Sequence, residues 1–271
     1  MSVSTSAAAA QDLVGRRKSL LAPLRDTLAI TGRHLIALRR VPQLLVFSTI
    51  QPVVFVLMFR YVFGGAVKIP NVPYVDYLMP GIFVQTVVFG AVGTAIGLAT
   101  DLKSGLLERF KSLPMARSAL LAGRTTADLA RNVFVATLMV LVGFAVGFRV
   151  HTNAAAFVAG MVLVLLFGYA MSWIFATVGL AVGDPETAQA AAFPVMAPLV
   201  FASSAFVRVE TMPGWLQAFA EHQPVSVTAS AVRALVLGGP TASYVMQSLA
   251  WGLGILVVFA PLAVQRYRRA V

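Results

Sequence analysis

Six stretches of this chain, about residues 44–63, 77–100, 133–148, 154–182, 190–207 and 244–264, hold almost nothing that prefers water. Crossing the hydrocarbon core of a bilayer as a helix takes about 20 apolar residues, and most of these runs reach or approach that length. Only 11% of the residues are charged and 59% are hydrophobic, where a soluble domain has about 25% charged residues. The runs therefore predict an all-α integral membrane protein with six transmembrane helices.

The charges sit between the runs and set an orientation. Of 21 Lys and Arg, seven precede the first run, six lie between the second and third, and three follow the last. Arg60, Lys68, Arg149, Arg208 and Arg233 remain for the other side. Basic residues collect on the cytoplasmic side, so both termini are expected there. The net charge of +11 is explained by this bias, and no separate basic domain exists to hold nucleic acid.

Taken in order, residues 1–19 read as a disordered Ser/Ala-rich tail, and 20–271 as a single membrane domain. Leu20, Leu21, Leu24, Leu28, Leu35 and Leu38 keep helical spacing among arginines, which predicts an amphipathic helix on the membrane surface. Pro52 lies inside the first span, and Pro194 and Pro198 inside the fifth. Arg60 is expected to snorkel to the interface. Gly93 and Gly97 in the second span, and Gly143 and Gly147 in the third, have the spacing of close helix contacts. A turn over 149–153 and an abrupt one at Gly183-Asp184-Pro185-Glu186 bound the fourth span. Residues 225–237 carry Arg233, Ser226, Thr228 and Ser230. That stretch is expected to form short re-entrant or interfacial helices before the sixth span, buried in protein.

Residues 101–132 are the longest strongly charged interval between spans. Leu102, Leu106, Phe110 and Leu113 fall on one helical stripe, with Lys103, Glu108, Arg109 and Lys111 mostly off it. Pro114 ends that helix and Ser118 is placed to cap the next one. The loop is suited to carrying force between a membrane domain and something outside it.

Several chemistries are missing. There is no cysteine, and His34, His151 and His222 are far apart with no metal-ligand spacing. No phosphate loop of the GxxxxGK[ST] kind occurs. Asp76, Asp101, Asp184 and Glu186 lie near span ends, and the acidic residues are expected to stay out of mid-membrane, which weighs against a proton-coupled carrier. No catalytic constellation suggests an enzyme.

LLERFKSLPMARSALLAGR within 101–132, YVDYLMPG at 74–81, PLVFASSAFVRVETMPGW at 198–215 and EHQPVSVTASAVRALVLG at 221–238 occur in the order and spacing of one family. With them the chain resembles type-2 ABC exporter permeases of the daunorubicin-resistance branch, over all but the first twenty or so residues. It departs at Gln223-Pro224, where many relatives have Asn-Pro. The resemblance implies a multi-pass permease of the bacterial cell membrane, working with a second, identical or paralogous permease and two ATP-binding subunits. This chain would bind no cofactor or metal; ATP and Mg would sit on the partner subunit.

By the same resemblance, a cytoplasmic coupling helix lies between spans 2 and 3, with Gly105, Glu108, Arg109, Phe110, Lys111, Leu113 and Pro114 meeting the ATPase. Phe83, Gln85, Thr86 and Phe89 on span 2, and Met196, Phe201 and Ser204 on span 5, would line the path of a hydrophobic or amphipathic drug, antibiotic or lipid. Export of a lipid-linked glycan, or a membrane scaffold with no transport, are the alternatives.

Overall fold

The computed structural model describes residues 31–32, 42–65, 69–70, 72–105 and 117–270. Most of the predicted surface helix, and residues 106–116 of the charged loop, lie outside the described residues. Eight α-helices make up the described fold. They are α1 (Pro42–Leu57), α2 (Tyr74–Lys103), α3 (Arg117–Ala145), α4 (Ala154–Val182), α5 (Pro185–Phe201), α6 (Gly214–His222), α7 (Pro224–Leu237) and α8 (Thr241–Ala270). A π-helical turn, Met58–Phe63, extends α1, and a 3-10 turn, Val209–Thr211, precedes α6.

Four of these helices, α2, α3, α4 and α8, are long and apolar enough to cross a membrane. α1 and α5 are shorter and contain Pro52, and Pro194 and Pro198. α2 is the axis of the bundle, packing against α1, α3, α4, α5 and α7. Two thirds (67%) of its apolar window is buried, against 11% for α8. A helix apolar all round belongs in the middle of the protein, while α8 turns its side chains to lipid.

The turns follow from local chemistry. Gly183 ends α4 in the left-handed conformation with φ 75°, where a side chain would be strained. Asp184 then caps α5 by accepting from Thr187 N at 3.1 Å, and Pro185 fills the first helical position. Asn153 caps α4 in the same way, accepting from Ala156 N at 2.8 Å. The Gln223 side chain caps α7, accepting from Val225 N at 3.0 Å. Its Nε2 also donates to Leu199 O at 2.9 Å, so this longer side chain ties α7 to the end of α5 as well.

Three expectations need correcting. The third span was expected to begin near Val133, yet α3 is already helical at Arg117, so Ser118 lies inside the helix and Arg124, Asp128 and Arg131 are part of it. The spaced glycines of α2 do not bring two backbones together. A Cβ on Gly93 would lie 2.9 Å from Arg131 Nη1, and one on Gly97 would lie 1.4 Å from Arg124 Nη2, so the notch holds arginines. Gly147 ends its helix with φ 100° and meets nothing within 4 Å, so it turns the chain without packing.

α6 and α7 are short, as expected of the 208–243 interval, and α7 is buried. Arg233 on α7 is the reason it stays. Its Nε donates to Tyr77 O at 2.9 Å, Nη1 to Ser204 Oγ at 3.1 Å, and Nη2 to Ala205 O at 3.1 Å and to Ser204 O. The guanidinium lies 3.8 Å from the centre of the Tyr77 ring, a cation–π contact. Tyr77 and Tyr74 add hydroxyl bonds to Ser204 O at 3.2 Å and Phe206 O at 3.0 Å. One cation thus joins α2, α7 and the segment after α5, with no carboxylate in the arrangement.

Arg233→Gln strands these carbonyls and is expected to destabilise the fold by about 3 kcal/mol. Arg233→Lys should recover little, since an ammonium cannot fork across several acceptors. Arg208→Gln, removing a half-exposed pair with Glu210, should stay within about 0.5 kcal/mol. Thermal unfolding of the purified proteins in detergent checks all three.

Candidate functional site

The α2–α3 contact is built from charges set into an apolar interface. Asp101, Thr94 and Gly90 on α2 are spaced seven and four residues apart, so they share one helical face. Arg124, Asp128 and Arg131 on α3 repeat that geometry. Arg124 Nη1 pairs with Asp101 Oδ2 at 2.7 Å. Thr94 Oγ1 donates to Asp128 Oδ2 at 2.6 Å. Arg131 Nη1 lies 3.3 Å from Asp128 Oδ1, and its Nη2 donates to Gly90 O at 2.6 Å. Asp128 and Asn132 are buried. An acidic residue therefore does sit within an apolar helix, against the expectation, and it is paired with a base one turn away.

Beside this interface is a cavity of about 420 Å³, inside the 300–1,000 Å³ range of small-molecule sites. It is walled by Gln51 and Pro52 of α1, by Gln85, Thr86, Phe89, Gly90, Val92, Gly93 and Ile96 of α2, by Arg131, Asn132 and Val135 of α3, and by Gln189, Phe193 and Met196 of α5. Most of the wall is apolar; Gln51, Gln85, Thr86, Arg131, Asn132 and Gln189 supply polar groups. Thr86 satisfies itself by donating to Ile82 O at 2.7 Å. Gln85 does not. It is 1% exposed, and its Oε1 has no hydrogen-bond partner.

Of the seven span residues named from the sequence, Gln85, Thr86, Phe89 and Met196 meet at this cavity. The other three do not. Phe83 is buried on another face of α2, edge-on to Phe148 with ring centres 5.9 Å apart. Ser204 is in the Arg233 arrangement. Phe201 is half exposed and stacks near Phe206 at 6.2 Å. The sequence reading missed Gln51, Arg131, Asn132, Gln189 and Phe193. For Arg131 a signal existed, the helical spacing of Arg124, Asp128 and Arg131, which continues the register of the apolar run after it.

Of the loop residues named from the sequence, Gly105 is described. It turns the chain after α2 with φ 65°, its N donating to Leu102 O at 3.0 Å. Glu108, Arg109, Phe110, Lys111, Leu113 and Pro114 lie outside the described residues. Beside the turn, Lys103 Nζ donates to Asp184 Oδ1 at 2.7 Å, linking the end of α2 to the α4–α5 turn. The Lys103 hydrogen bond, then the two from Thr187, hold the Asp184 carboxyl down at about 2, from an ordinary 3.8. A depressed acid keeps its contribution at neutral pH and loses it as pH falls from 3.8 toward 2.

Comparison with known proteins agrees with this architecture. The sequence matches the family described as ABC-2 type transporter over residues 25–237. It is 36% identical over 254 residues to the daunorubicin resistance ABC transporter permease protein DrrB1 of Streptomyces coeruleorubidus, covering 94% of this chain and 90% of that one. A protein named "Probable doxorubicin resistance ABC transporter permease protein DrrC", from Mycobacterium tuberculosis, is 30% identical over 247 residues, covering 90% and 89%. The doxorubicin resistance ABC transporter permease protein DrrB of the same organism is 28% identical over 253 residues, covering 85% and 87%.

The chain has no cysteine, so single thiols report cleanly on this geometry. Phe89→Cys, on the cavity wall, is expected to react with a small methanethiosulfonate reagent at least about tenfold faster than Phe83→Cys, which is sealed in the core. Rates followed by mass spectrometry on protein in lipid nanodiscs give the answer, and equal rates would remove Phe89 from an open wall.

Proposed function

The chain belongs to the ABC-2 type transporter family, and on that premise we propose that it is one permease half of an ATP-driven exporter of amphipathic small molecules. The observation that carries the reading is the cavity between α1, α2, α3 and α5. It lies among apolar helices, is the size of a small-molecule site, and combines aromatic and Met walls with a few polar groups. The names of the relatives, which describe drug-resistance permeases, support a drug-like or lipid-like substrate class here.

Residues 20–271 then form one domain with six spans, counting α1 with its π-helical extension and the proline-bearing α5. Both termini face the cytoplasm of a bacterial cell, as the distribution of Lys and Arg favours. ATP and Mg are bound by a separate subunit, two copies of which serve two permeases. Gly105, Glu108, Arg109, Phe110, Lys111, Leu113 and Pro114 form the contact with that subunit. Phe110 and Leu113 pack against it, and Glu108, Arg109 and Lys111 give polar contacts. Closure of the two ATPases moves these loops. The packing between spans 2 and 5 changes, and the cavity opens to the outside.

The position of the loop supports this coupling, because it joins α2 to α3, the helices that bring Gln85, Thr86, Arg131 and Asn132 to the cavity. No bound substrate needs to be charged for the cycle, since ATP supplies the driving force.

A tagged copy purified from its native membrane is expected to bring down a stoichiometric ATPase. Phe110→Ala should lower its recovery about tenfold or more, the effect of an interface hot spot. Glu108→Ala and Arg109→Ala should reduce export per ATP hydrolysed. Export and complex formation at wild-type levels in all three variants would remove the coupling assignment; recovery of the chain with no ATPase in any detergent would remove the exporter reading.

A further inference from the structure

We propose that Arg131, held by Asp128, determines which ligands the cavity accepts, and that the preferred ligand is an uncharged amphipath carrying both a hydrogen-bond acceptor and a donor. This rests on reading the cavity as the substrate site.

Arg131 is the one ionisable side chain among the described residues lining the cavity. A guanidinium has five N–H donors. Nη1 faces Asp128 and Nη2 donates to Gly90 O, which leaves donors over. Arg131 lines the cavity, so a ligand oxygen can meet them.

The sign of the pair limits what that oxygen belongs to. Asp128 is buried behind Arg131 and already accepts from Thr94 at 2.6 Å. The two charges cancel locally. A carboxylate or phosphate entering the cavity would bring a net negative charge into a low-dielectric site, where its desolvation is no longer balanced. An ammonium would meet the guanidinium first, with the only nearby carboxylate hidden behind it. A neutral carbonyl escapes both penalties.

Gln85 supplies the second half of the match. Gln85 lines the same cavity, and its Oε1, closed off from solvent in this conformation, accepts from nothing, which is unusual for a native polar atom. A turn of the side chain would present it to the cavity. A ligand N–H or O–H would complete it. Gln85 and Gly90, the residue that anchors Arg131, are five residues apart on α2, about 7.5 Å along the helix. One small molecule spans that distance, with its apolar body against Phe89 and Phe193.

The test uses three probes on one planar apolar body: pyrenebutyramide, pyrenebutyrate and pyrenebutylamine. Saturable binding to the purified full chain in nanodiscs is read by pyrene fluorescence against empty nanodiscs. Wild type is expected to bind the amide about tenfold more tightly than either charged probe. Arg131→Gln should weaken the amide about tenfold and erase the discrimination against the amine. Gln85→Met should weaken the amide and leave the carboxylate, which has no donor, unchanged. Asp128→Asn leaves Arg131 unneutralised and should make the carboxylate the best of the three.

Equal affinities in wild type, no saturable binding, or an unchanged ranking in both Arg131→Gln and Gln85→Met overturns the proposal. Those two variants keep the test decisive should Asp128→Asn fail to fold. Failure of the exporter reading looks different: the probe ranking holds, yet a complex with its ATPase moves no probe.

Discussion

A charge inside a bilayer has no water to turn to, and each buried one here is placed by that constraint. For the arginines two solutions occur. Arg233 is held with no anion at all, by backbone carbonyls of Tyr77, Ser204 and Ala205 and by the face of Tyr77. Arg124 and Arg131 are held by carboxylates, in slots that glycine opens on α2. The first solution fixes the short helix α7 against the N-terminal end of α2. The second fixes α3 along its C-terminal half. α2, the most buried of the four long helices, receives arginines from neighbours near both of its ends.

This arrangement explains where sequence reasoning worked and where it did not. The bounds of α4, Ala154–Val182, were legible because an Asn cap and a left-handed Gly mark its ends and no charged residue interrupts it. The short helices before α8 were legible because Arg233 in an apolar run cannot face lipid. The start of α3 was legible as a helix from Ser118, but not as one continuous helix with the third span. Arg124, Asp128 and Arg131 look like loop residues when charge is counted, and only their spacing of four and three shows that they lie on one face. That face is polar and inward, the reverse of the usual surface helix.

The cavity residues were half legible for a related reason. α2 is apolar on every side, so its sequence carries no stripe to separate the face toward the cavity from the face toward the core. Phe83 and Phe89 are alike in sequence and opposite in placement: one packs edge-on to Phe148, the other lines the cavity. Ser204 was drawn to the substrate path by its place in span 5. The helix in fact ends at Phe201, and Ser204 lies in the turn that Arg233 holds. Polar residues of neighbouring helices, such as Asn132 and Gln189, join the site only through packing, which no single run of sequence encodes.

The walls of the cavity are mechanically unequal. On one side, α2 and α3 are joined by three polar rungs, Asp101–Arg124, Thr94–Asp128 and Gly90–Arg131, spread over about three turns. Sliding one helix past the other would break all of them at once and leave charges buried and unpaired. On the other side stand α1 and α5, with Pro52, Pro194 and Pro198; α2 has its own proline, Pro80, but it precedes the cavity-lining stretch and the rungs. Each proline removes an intrahelical hydrogen bond, so bending there breaks little that is not already broken. On the proposed reading, a force applied to the loop between α2 and α3 would move those helices together, as one hairpin. The cavity would widen by the yielding of α1 and α5 against it, with Arg131 carried on the moving wall.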